Sequence, residues 1–323
     1  MGLTTTVVGS YPKPPDEGKP FVVRKTLHAI ERGDATADDL RAAQDDLVSA
    51  IIGEQEAAGI DIVTDGQARW DDILTPFASN IAGFEIGPLL RLFDNNVYYR
   101  RPVCTGAVEW RGPSSVEAFN YASSVATRPV KAVIPGPITF ARLSLDEHYY
   151  DHGRFVYAIA EVLAQEAAEL EAAGARYIQI DEPALLGAPE DLALATNAVE
   201  AIASGLAEAH VLVATYFGDA KRLGTELFRL PAQGFGLDFA AGPENVELLP
   251  DVPQGTTIQA GVLDARNTRL EDPAEVASLV ERLLEHVAPE NLWLSPSAGL
   301  EFLPREKARA KLQRLADIAK EVG

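Results

Sequence analysis

The sequence has one cysteine and five histidines among its 323 residues, and no apolar run in it reaches 18 residues. The single thiol, Cys104, excludes an internal disulfide and a zinc site built from several thiolates. The N-terminal residues lack a basic segment followed by a hydrophobic one. These absences argue against a membrane span and a signal peptide, so we expect a cytoplasmic protein.

Basic residues are also scarce. The chain has 28 lysine and arginine residues against 48 acidic ones, and its formal net charge is −20. A surface with this charge repels nucleic acid and anionic lipid. We therefore expect neither a nucleic-acid partner nor a membrane partner.

Nucleotide-binding loops are a further absence, because no GxGxxG or GxxxxGK[ST] pattern follows any strand-like run. The chain instead alternates short β-branched or aromatic runs with alanine-rich amphipathic stretches such as 38–59 and 156–174. The eight strand-like runs are residues 4–10, 61–66, 131–137, 177–183, 210–218, 234–240, 257–264 and 292–300.

Eight strands that alternate with helices predict an α/β fold in which a parallel sheet closes into a (β/α)8 TIM barrel. A doubly wound open sheet is the alternative. Two segments interrupt the alternation: residues 11–36 are rich in proline and charge, and residues 84–128 predict a β-hairpin over the barrel mouth. We expect one barrel domain over residues 1–323.

Polar residues occur at nearly every predicted strand end, whereas the strand middles are valine, isoleucine and leucine. In a barrel of this kind the ligand site lies at the C-terminal ends of the strands. The polar ends therefore predict a pocket at one mouth of the barrel. They are Gly9 with Ser10, Asp65 with Gln67, Asp181 with Glu182, Thr215 with Tyr216, Asp238, Asp264 with Arg266, and Ser295 with Ser297.

The adjacent carboxylates Asp181 and Glu182 end the fourth predicted strand, directly before Pro183. One interpretation is a turn with an aspartate helix cap. The other is an acidic pair at the pocket rim, suited to holding an amine or accepting a proton. The polar ends of the other strands favour the pocket.

Four stretches resemble the cobalamin-independent methionine synthases in order along the chain: TTTVVGSYP, VIPGPITFARLS, YIQIDEPALL and LWLSPSAGLEFLP. The family's enzymes consist of two related barrels. The C-terminal barrel holds zinc and transfers a methyl group from methyltetrahydrofolate to the thiol of homocysteine, and the N-terminal barrel is a copy without metal. The resemblance implies a barrel fold and methyl transfer.

The zinc ligands of the C-terminal barrel would fall on Val213, Thr215, Ala240 and Ala298, none of which is histidine, cysteine or glutamate. The family's proton-donating histidine falls on Arg266, its homocysteine-binding glutamate on Gln67 and a folate-contacting glutamate on Gly187. The stretches RLFDNNVYY, VATYFGD, GFGLDFAAGPEN and GVLDARN resemble the N-terminal barrel instead. The resemblance therefore implies the metal-free half as a stand-alone chain, and we predict no zinc site.

The resemblance implies an amino-acid clamp at the mouth, in which Gly9 and Ser10 face the carboxylate and Asp181 faces the ammonium group. The alternative is that Ser10 caps a turn and Asp181 packs against an arginine. Asp181 and Arg266 are the candidate catalytic residues. The predicted substrate-binding residues are Gly9, Ser10, Gln67, Asp181, Glu182, Tyr216 and Asp238.

The run FDNNVYY combines polar and aromatic side chains in the predicted hairpin, where a ring could stack on a flat ligand such as a pterin. Packing of the hairpin on the barrel is the alternative. The predicted cofactor-binding residues are Asp94, Asn95, Tyr98 and Tyr99.

Three functions are compatible with these residues. The first is a methyltransferase barrel that takes a folate-type donor and a thiol, with a second, zinc-bearing barrel chain as partner. The second is a non-catalytic subunit that binds folate or the partner. The third is a metal-independent enzyme that acts on a small amino acid.

Overall fold

The computed structural model describes residues 2–322. It contains ten β-strands within that range: β1 (Thr4–Thr5), β2 (Ala82–Arg91), β3 (Tyr98–Glu109), β4 (Lys131–Pro135), β5 (Leu145–Asp146), β6 (Tyr177–Asp181), β7 (His210–Ala214), β8 (Gly234–Asp238), β9 (Thr257–Leu263) and β10 (Leu292–Pro296). The α-helices are α1 (Val22–Glu31), α2 (Ala37–Ala57), α3 (Thr75–Ala78), α4 (Val116–Val125), α5 (Pro137–Leu143), α6 (His152–Ala172), α7 (Leu192–Ala203), α8 (Pro273–Leu284) and α9 (Arg305–Val322).

Seven of the strands form one parallel sheet in the order β1, β10, β9, β8, β7, β6, β4. The two ends of this sheet meet through the chain at residues 62–63. Ile62 bridges Thr6 beside β1, and Val63 bridges Val130 beside β4, both in parallel. The eight strand positions therefore form a closed ring, which confirms the predicted barrel and excludes the doubly wound sheet.

The helices pack around this ring through their apolar faces, and several begin at side-chain caps. Thr36 and Asp39 form a reciprocal capping box at the start of α2. Asp151 accepts a hydrogen bond from the Arg154 amide at the start of α6. No helix within residues 2–322 has both the length and the apolar character needed to cross a membrane.

The predicted hairpin is confirmed as the antiparallel pair β2 and β3, with β5 added in parallel to β3. Its inner face packs on the barrel, because Phe84 stacks on Phe140 with ring centroids 5.3 Å apart. The Tyr99 hydroxyl donates to the Leu143 carbonyl at 3.0 Å. Asp72 accepts from the Arg100 amide at 2.9 Å and ties the hairpin to the loop before α3. The hairpin tip therefore lies over the C-terminal ends of the strands.

Candidate functional site

A cavity lies at the C-terminal ends of the barrel strands, under the hairpin tip. The space between its lining side chains is about 570 Å³, part of it open to solvent. Four predicted site residues line it together, namely Ser10, Gln67, Asp181 and Tyr216. The other lining residues are Val8, Lys13, Trp70, Asp72, Ile73, Leu92, Phe93, Val97, Phe217, Gly299, Glu301 and Phe302.

Asp181 is the acidic group that the barrel presents to this cavity. It is 3% exposed and lies at the last position of β6. Its Oδ2 accepts from the Tyr216 hydroxyl at 3.1 Å, and its Oδ1 accepts from Gln179 Nε2 at 2.6 Å. Burial raises the pKa of Asp181 to about 7, although these two donors and Lys131 lower it. A ligand ammonium group at this position would favour the ionised carboxylate.

Asp181 belongs to a polar network inside the barrel, which we call the floor. The floor consists of Lys131, Gln179, Asp181 and Gln259. Lys131 Nζ donates to Gln179 Oε1 at 2.5 Å and to Gln259 Oε1 at 2.7 Å. It also donates to the Val7 carbonyl at 2.7 Å. Burial lowers the pKa of Lys131 to about 7, while the charge of Asp181 raises it. Lys131 is not among the residues predicted from the sequence, because its position at the start of a strand gave no sign of a contact with the groups beneath the mouth.

Glu182 points away from the cavity, into the layer between the sheet and α5. Its Oε1 accepts from the Ile138 amide at 2.9 Å, and its Oε2 accepts from the amide and hydroxyl of Thr139 at 2.8 and 2.7 Å. Burial raises its pKa to about 7, and these hydrogen bonds lower it. A Cβ on Gly136 would lie 2.1 Å from Glu182 Cδ. Glu182 therefore organises the turn before α5, and its predicted substrate contact gains no support from this geometry.

Asp238 is likewise occupied by backbone donors. Its Oδ1 accepts from the amides of Ala240 and Ala241 at 3.0 and 2.7 Å, and its Oδ2 accepts from the Phe217 amide at 3.1 Å. Burial raises its pKa to about 6, and the three amides and Arg266 lower it. Asp238 shapes the loops after β7 and β8 and is not among the residues that line the cavity.

A further part of the cavity wall is formed by Ser10, Lys13 and Glu301. The Ser10 hydroxyl packs closely against Gly299, because a Cβ at residue 299 would lie 1.9 Å from Ser10 Oγ. Burial raises the pKa of Glu301, whereas the charge of Lys13 and the Ser10 hydroxyl lower it. Lys13 Nζ donates to the Trp70 carbonyl. Burial lowers the Lys13 pKa, and Glu301 raises it. Lys13 gives this wall a cationic group, which was not among the residues predicted from the strand ends.

Gly9 and Gln67 lie side by side at the ends of the first two barrel strands. A Cβ on Gly9 would lie 2.9 Å from Gln67 Nε2, so a larger residue at position 9 would displace this amide. Gln67 has a positive φ of 51°, and its backbone amide donates to Asp65 Oδ1 at 2.9 Å. The structure thus brings together the predicted clamp residues Gly9, Ser10 and Asp181 with Gln67, a further predicted substrate-binding residue.

Aromatic and polar side chains from four loops cover the cavity, and we call them the roof: Phe93, Asn95, Phe217, Arg266 and Phe302. The Phe217 ring centroid lies 5.7 Å from Phe93 and 5.8 Å from Phe302. The Arg266 guanidinium lies 5.2 Å from the centre of the Phe217 ring. Arg266 Nη1 also donates to Asn95 Oδ1 at 3.3 Å. The catalytic candidate Arg266 therefore lies in the roof and not among the cavity-lining residues.

The other predicted cofactor-binding residues lie apart from the cavity. The side chain of Asp94 is 98% exposed and pairs with Arg91, and Tyr98 is 54% exposed. Tyr99 is buried against the barrel. Of the four, Asp94 and Asn95 both line the two grooves beside the roof. The rings over the cavity are phenylalanines, which the sequence analysis did not select because they resemble core residues.

The positions of the family's zinc ligands offer no metal site here. Val213, Ala240 and Ala298 have no donor atom in their side chains, and Thr215 Oγ1 donates to the Gly236 carbonyl at 3.2 Å. Across residues 2–322 no three histidine, cysteine, aspartate or glutamate side chains form a group that could hold a metal ion. The residues at these positions therefore do not fit a zinc ion.

Comparison with known proteins gives matches over nearly the whole chain. The family model described as the cobalamin-independent synthase, catalytic domain, matches residues 3–321. The chain belongs to this family. A methionine synthase from Saccharolobus solfataricus is 33% identical over 324 residues, covering 99% of this chain and 95% of that protein. The methionine synthase from Sulfurisphaera tokodaii is 34% identical over 312 residues, covering 96% and 89%.

Solved structures confirm the fold of this cobalamin-independent synthase domain. A B12-independent methionine synthase from Shewanella sp. W3-18-1 superposes with a TM-score of 0.87 and 24% identity, covering 100% of this chain and 98% of the other. An assigned B12-independent methionine synthase from Listeria monocytogenes superposes with a TM-score of 0.77 and 20% identity, covering 98% and 96%. The methionine synthase resemblance and the barrel fold expected from the sequence are both confirmed.

Proposed function

We propose that this chain is a methyltransferase barrel of methionine biosynthesis whose cavity binds the amino-acid part of a thiol substrate such as homocysteine. The observation that carries the proposal is the convergence of Ser10, Gln67 and Asp181 on one cavity. A hydroxyl and an amide on one side can bind a carboxylate, and a carboxylate on the other can bind an ammonium group. The curated relatives named methionine synthase support the same substrate class.

A folate-type methyl donor fits the groove beside the roof, which has about 1230 Å³ of space between its lining atoms. Apolar residues such as Leu186 and Phe217 line it together with three arginines, Arg142, Arg222 and Arg266. A flat ring can stack on the apolar part, and arginines suit a ligand that ends in carboxylates. This combination supports a methyltetrahydrofolate-type co-substrate.

A second barrel chain that carries zinc would supply what the strand ends of this chain lack. A thiol near neutral pH is mostly protonated, and zinc converts it into a bound thiolate. The outer face of the hairpin leaves Ile86, Leu89 and Tyr98 exposed, at 39, 57 and 54%. An apolar patch of this kind suits contact with another protein. We therefore propose that methyl transfer requires the partner chain.

The missing zinc ligands also favour a second candidate function. A chain without a thiolate-binding metal could serve as a folate- or partner-binding subunit, or as a metal-independent enzyme on a small amino acid. These candidates differ from the methyltransferase in turnover, because only the methyltransferase proposal predicts methionine formation once a zinc-bearing barrel is added.

Binding of L-homocysteine and L-methionine to the purified full chain tests the clamp by calorimetry. We expect binding by the wild type and at least a tenfold loss in Asp181→Asn, because the amide cannot pair with an ammonium charge. The exposed carboxylate variant Glu281→Gln should bind as the wild type does. Equal affinity of the Asp181→Asn variant and the wild type would contradict the clamp.

Methyl transfer from methyltetrahydrofolate to homocysteine tests the partner. We expect methionine only when this chain is co-purified with a zinc-bearing barrel from the same genome. Ordinary turnover by this chain alone, with stoichiometric metal, would contradict the requirement for a partner. Absence of turnover in both preparations, with binding intact, would favour the binding-subunit function.

A further inference from the structure

Lys131 is a fully buried lysine whose charged group lies inside the barrel, beneath the cavity. It is 1% exposed and belongs to β4. Burial of an ammonium group costs several kcal/mol unless its donors are satisfied. All three of its acceptors come from other barrel strands or their ends: the Val7 carbonyl, Gln179 and Gln259. A methionine would fill the same space without this cost, so the charge points to a role beyond packing.

Lys131 fixes the orientation of the Gln179 amide. Because Gln179 Oε1 accepts from Lys131, its Nε2 must face the other way. There Nε2 donates to the Val8 carbonyl at 2.7 Å and to Asp181 Oδ1 at 2.6 Å. Without Lys131, the amide could rotate and present its oxygen to the carboxylate, which repels it. The lysine therefore acts on Asp181 through one intervening side chain.

We propose that Lys131 is a positioning residue that, through Gln179, holds Asp181 ionised and oriented for the ammonium group of the ligand. The inference rests on the proposed amino-acid site at Asp181. Lys131 itself belongs to the floor but does not line the cavity. Its effect on the ligand is therefore indirect.

The charged groups around Asp181 support this assignment. Lys131 from β4 is the cation that lowers the pKa of Asp181, and the Tyr216 hydroxyl, after β7, donates to it. Glu182, the next residue, interacts unfavourably with it, since the charge of Asp181 raises the pKa of Glu182. Glu301, after β10, raises the pKa of Tyr216 and adds further negative charge on that side. Lys131 is thus the positive charge that acts on Asp181, whereas the charge of Lys13 acts on Glu301.

The pH dependence of L-methionine affinity tests the proposal, by calorimetry from pH 6 to 9. In Lys131→Met we expect the acid limb to move up by about one pH unit, with about a tenfold loss at pH 6, about a fivefold loss at pH 7 and recovery to within about threefold at pH 9. Lys311→Met is the matched control, because Lys311 is also fully buried but pairs with Glu271 instead. That variant should keep the wild-type profile. A loss in Lys131→Met that is equal at every pH would overturn the proposal.

A second measurement tests the role of Lys131 without a ligand and in a second variant. Carboxyl ¹³C NMR follows the titration of Asp181 directly in the wild type and in the milder Lys131→Gln variant. We expect a higher Asp181 midpoint in the variant, and an unchanged midpoint would overturn the role of Lys131. If the wild type binds no amino acid, the proposed function fails while this titration still decides the coupling. If Lys131→Met does not fold, the midpoint in Lys131→Gln decides between the two outcomes.

Discussion

The floor and the roof of the cavity differ in how well their polar atoms and backbone are accommodated. In the floor every side-chain polar atom of Lys131, Gln179 and Asp181 has a hydrogen-bond partner. In the roof, Asn95 is 6% exposed, and its Nδ2 has no partner within residues 2–322. All four floor residues are buried, whereas in the roof only Asn95 is buried, and it carries the unpartnered atom.

The backbone shows the same contrast. Four non-glycine residues in the described part of the chain have positive φ, and three of them line the cavity: Gln67, Phe93 and Phe217. Two of these are roof residues, with φ of 48° and 75°. Left-handed backbone at a bulky residue costs about 1–3 kcal/mol and concentrates at functional sites. The site therefore combines a buried, hydrogen-bonded floor with a roof whose backbone is strained at Phe93 and Phe217.

The largest expected effect tests the floor. Gln179→Ala leaves Lys131 and Asp181 each without one partner and opens a cavity, so we expect a loss of about 3–5 kcal/mol in the free energy of unfolding. Denaturant unfolding measures it. The exposed Gln165→Ala on α6 should change the stability by less than about 0.5 kcal/mol. A similarly small change in Gln179→Ala would break the contrast between floor and roof.

The next effect concerns the pH dependence of Glu182, beside the floor. Its folded pKa lies above the unfolded value, so the native state binds an extra proton between about pH 4.5 and 7. The stability contributed by Glu182 is thus complete below pH 4.5 and lost as the pH rises through 7. Glu182→Gln does not titrate, so its deficit relative to the wild type should shrink by about 2 kcal/mol from about pH 5 to 8. Unfolding at several pH values checks this, with Glu281→Gln as the control. A constant deficit would show that Glu182 does not titrate in this range.

A smaller effect is expected at the wall between floor and roof. Gly299→Ala places a Cβ 1.9 Å from Ser10 Oγ, so the hydroxyl must rotate away from the cavity. We expect about a tenfold loss of L-methionine affinity, or about 1.4 kcal/mol. Gly205→Ala, whose Cβ would be no closer than 3.7 Å to any atom, serves as the control. Unchanged affinity in Gly299→Ala would remove Ser10 from the clamp.

The smallest effect on stability is expected at Asn95 in the roof. Asn95→Ala removes an amide with an unpartnered Nδ2, so the stability should change by less than about 0.5 kcal/mol. The same substitution at Asn245 should cost about 2 kcal/mol, because both ends of that buried amide are bonded, at 2.8 Å each. Folate-type donor binding should weaken only in Asn95→Ala. Equal destabilisation of the two variants would show that the roof is as well satisfied as the interior.

That Ser10, Gln67 and Asp181 meet at one cavity was predictable because they lie at strand ends, and parallel strands in a barrel bring their ends to one mouth. The outward position of Glu182 follows from a rule that can also be applied to the sequence. Successive side chains along a strand point to opposite faces, so Asp181 and Glu182 cannot both face the cavity. The roof was less predictable, because the rings of Phe93, Phe217 and Phe302 meet only through loops from distant parts of the chain.

The amino-acid sequence by itself determined the alternation of strands and helices, the closed barrel, the family and the absence of the family's zinc ligands, because each depends on local composition or on residues at fixed places in a motif. Only the tertiary structure decided which polar groups meet. Barrel closure brings Lys131 to Gln179 and Gln259, which lie 48 and 128 positions further along the chain, and no local pattern encodes that contact.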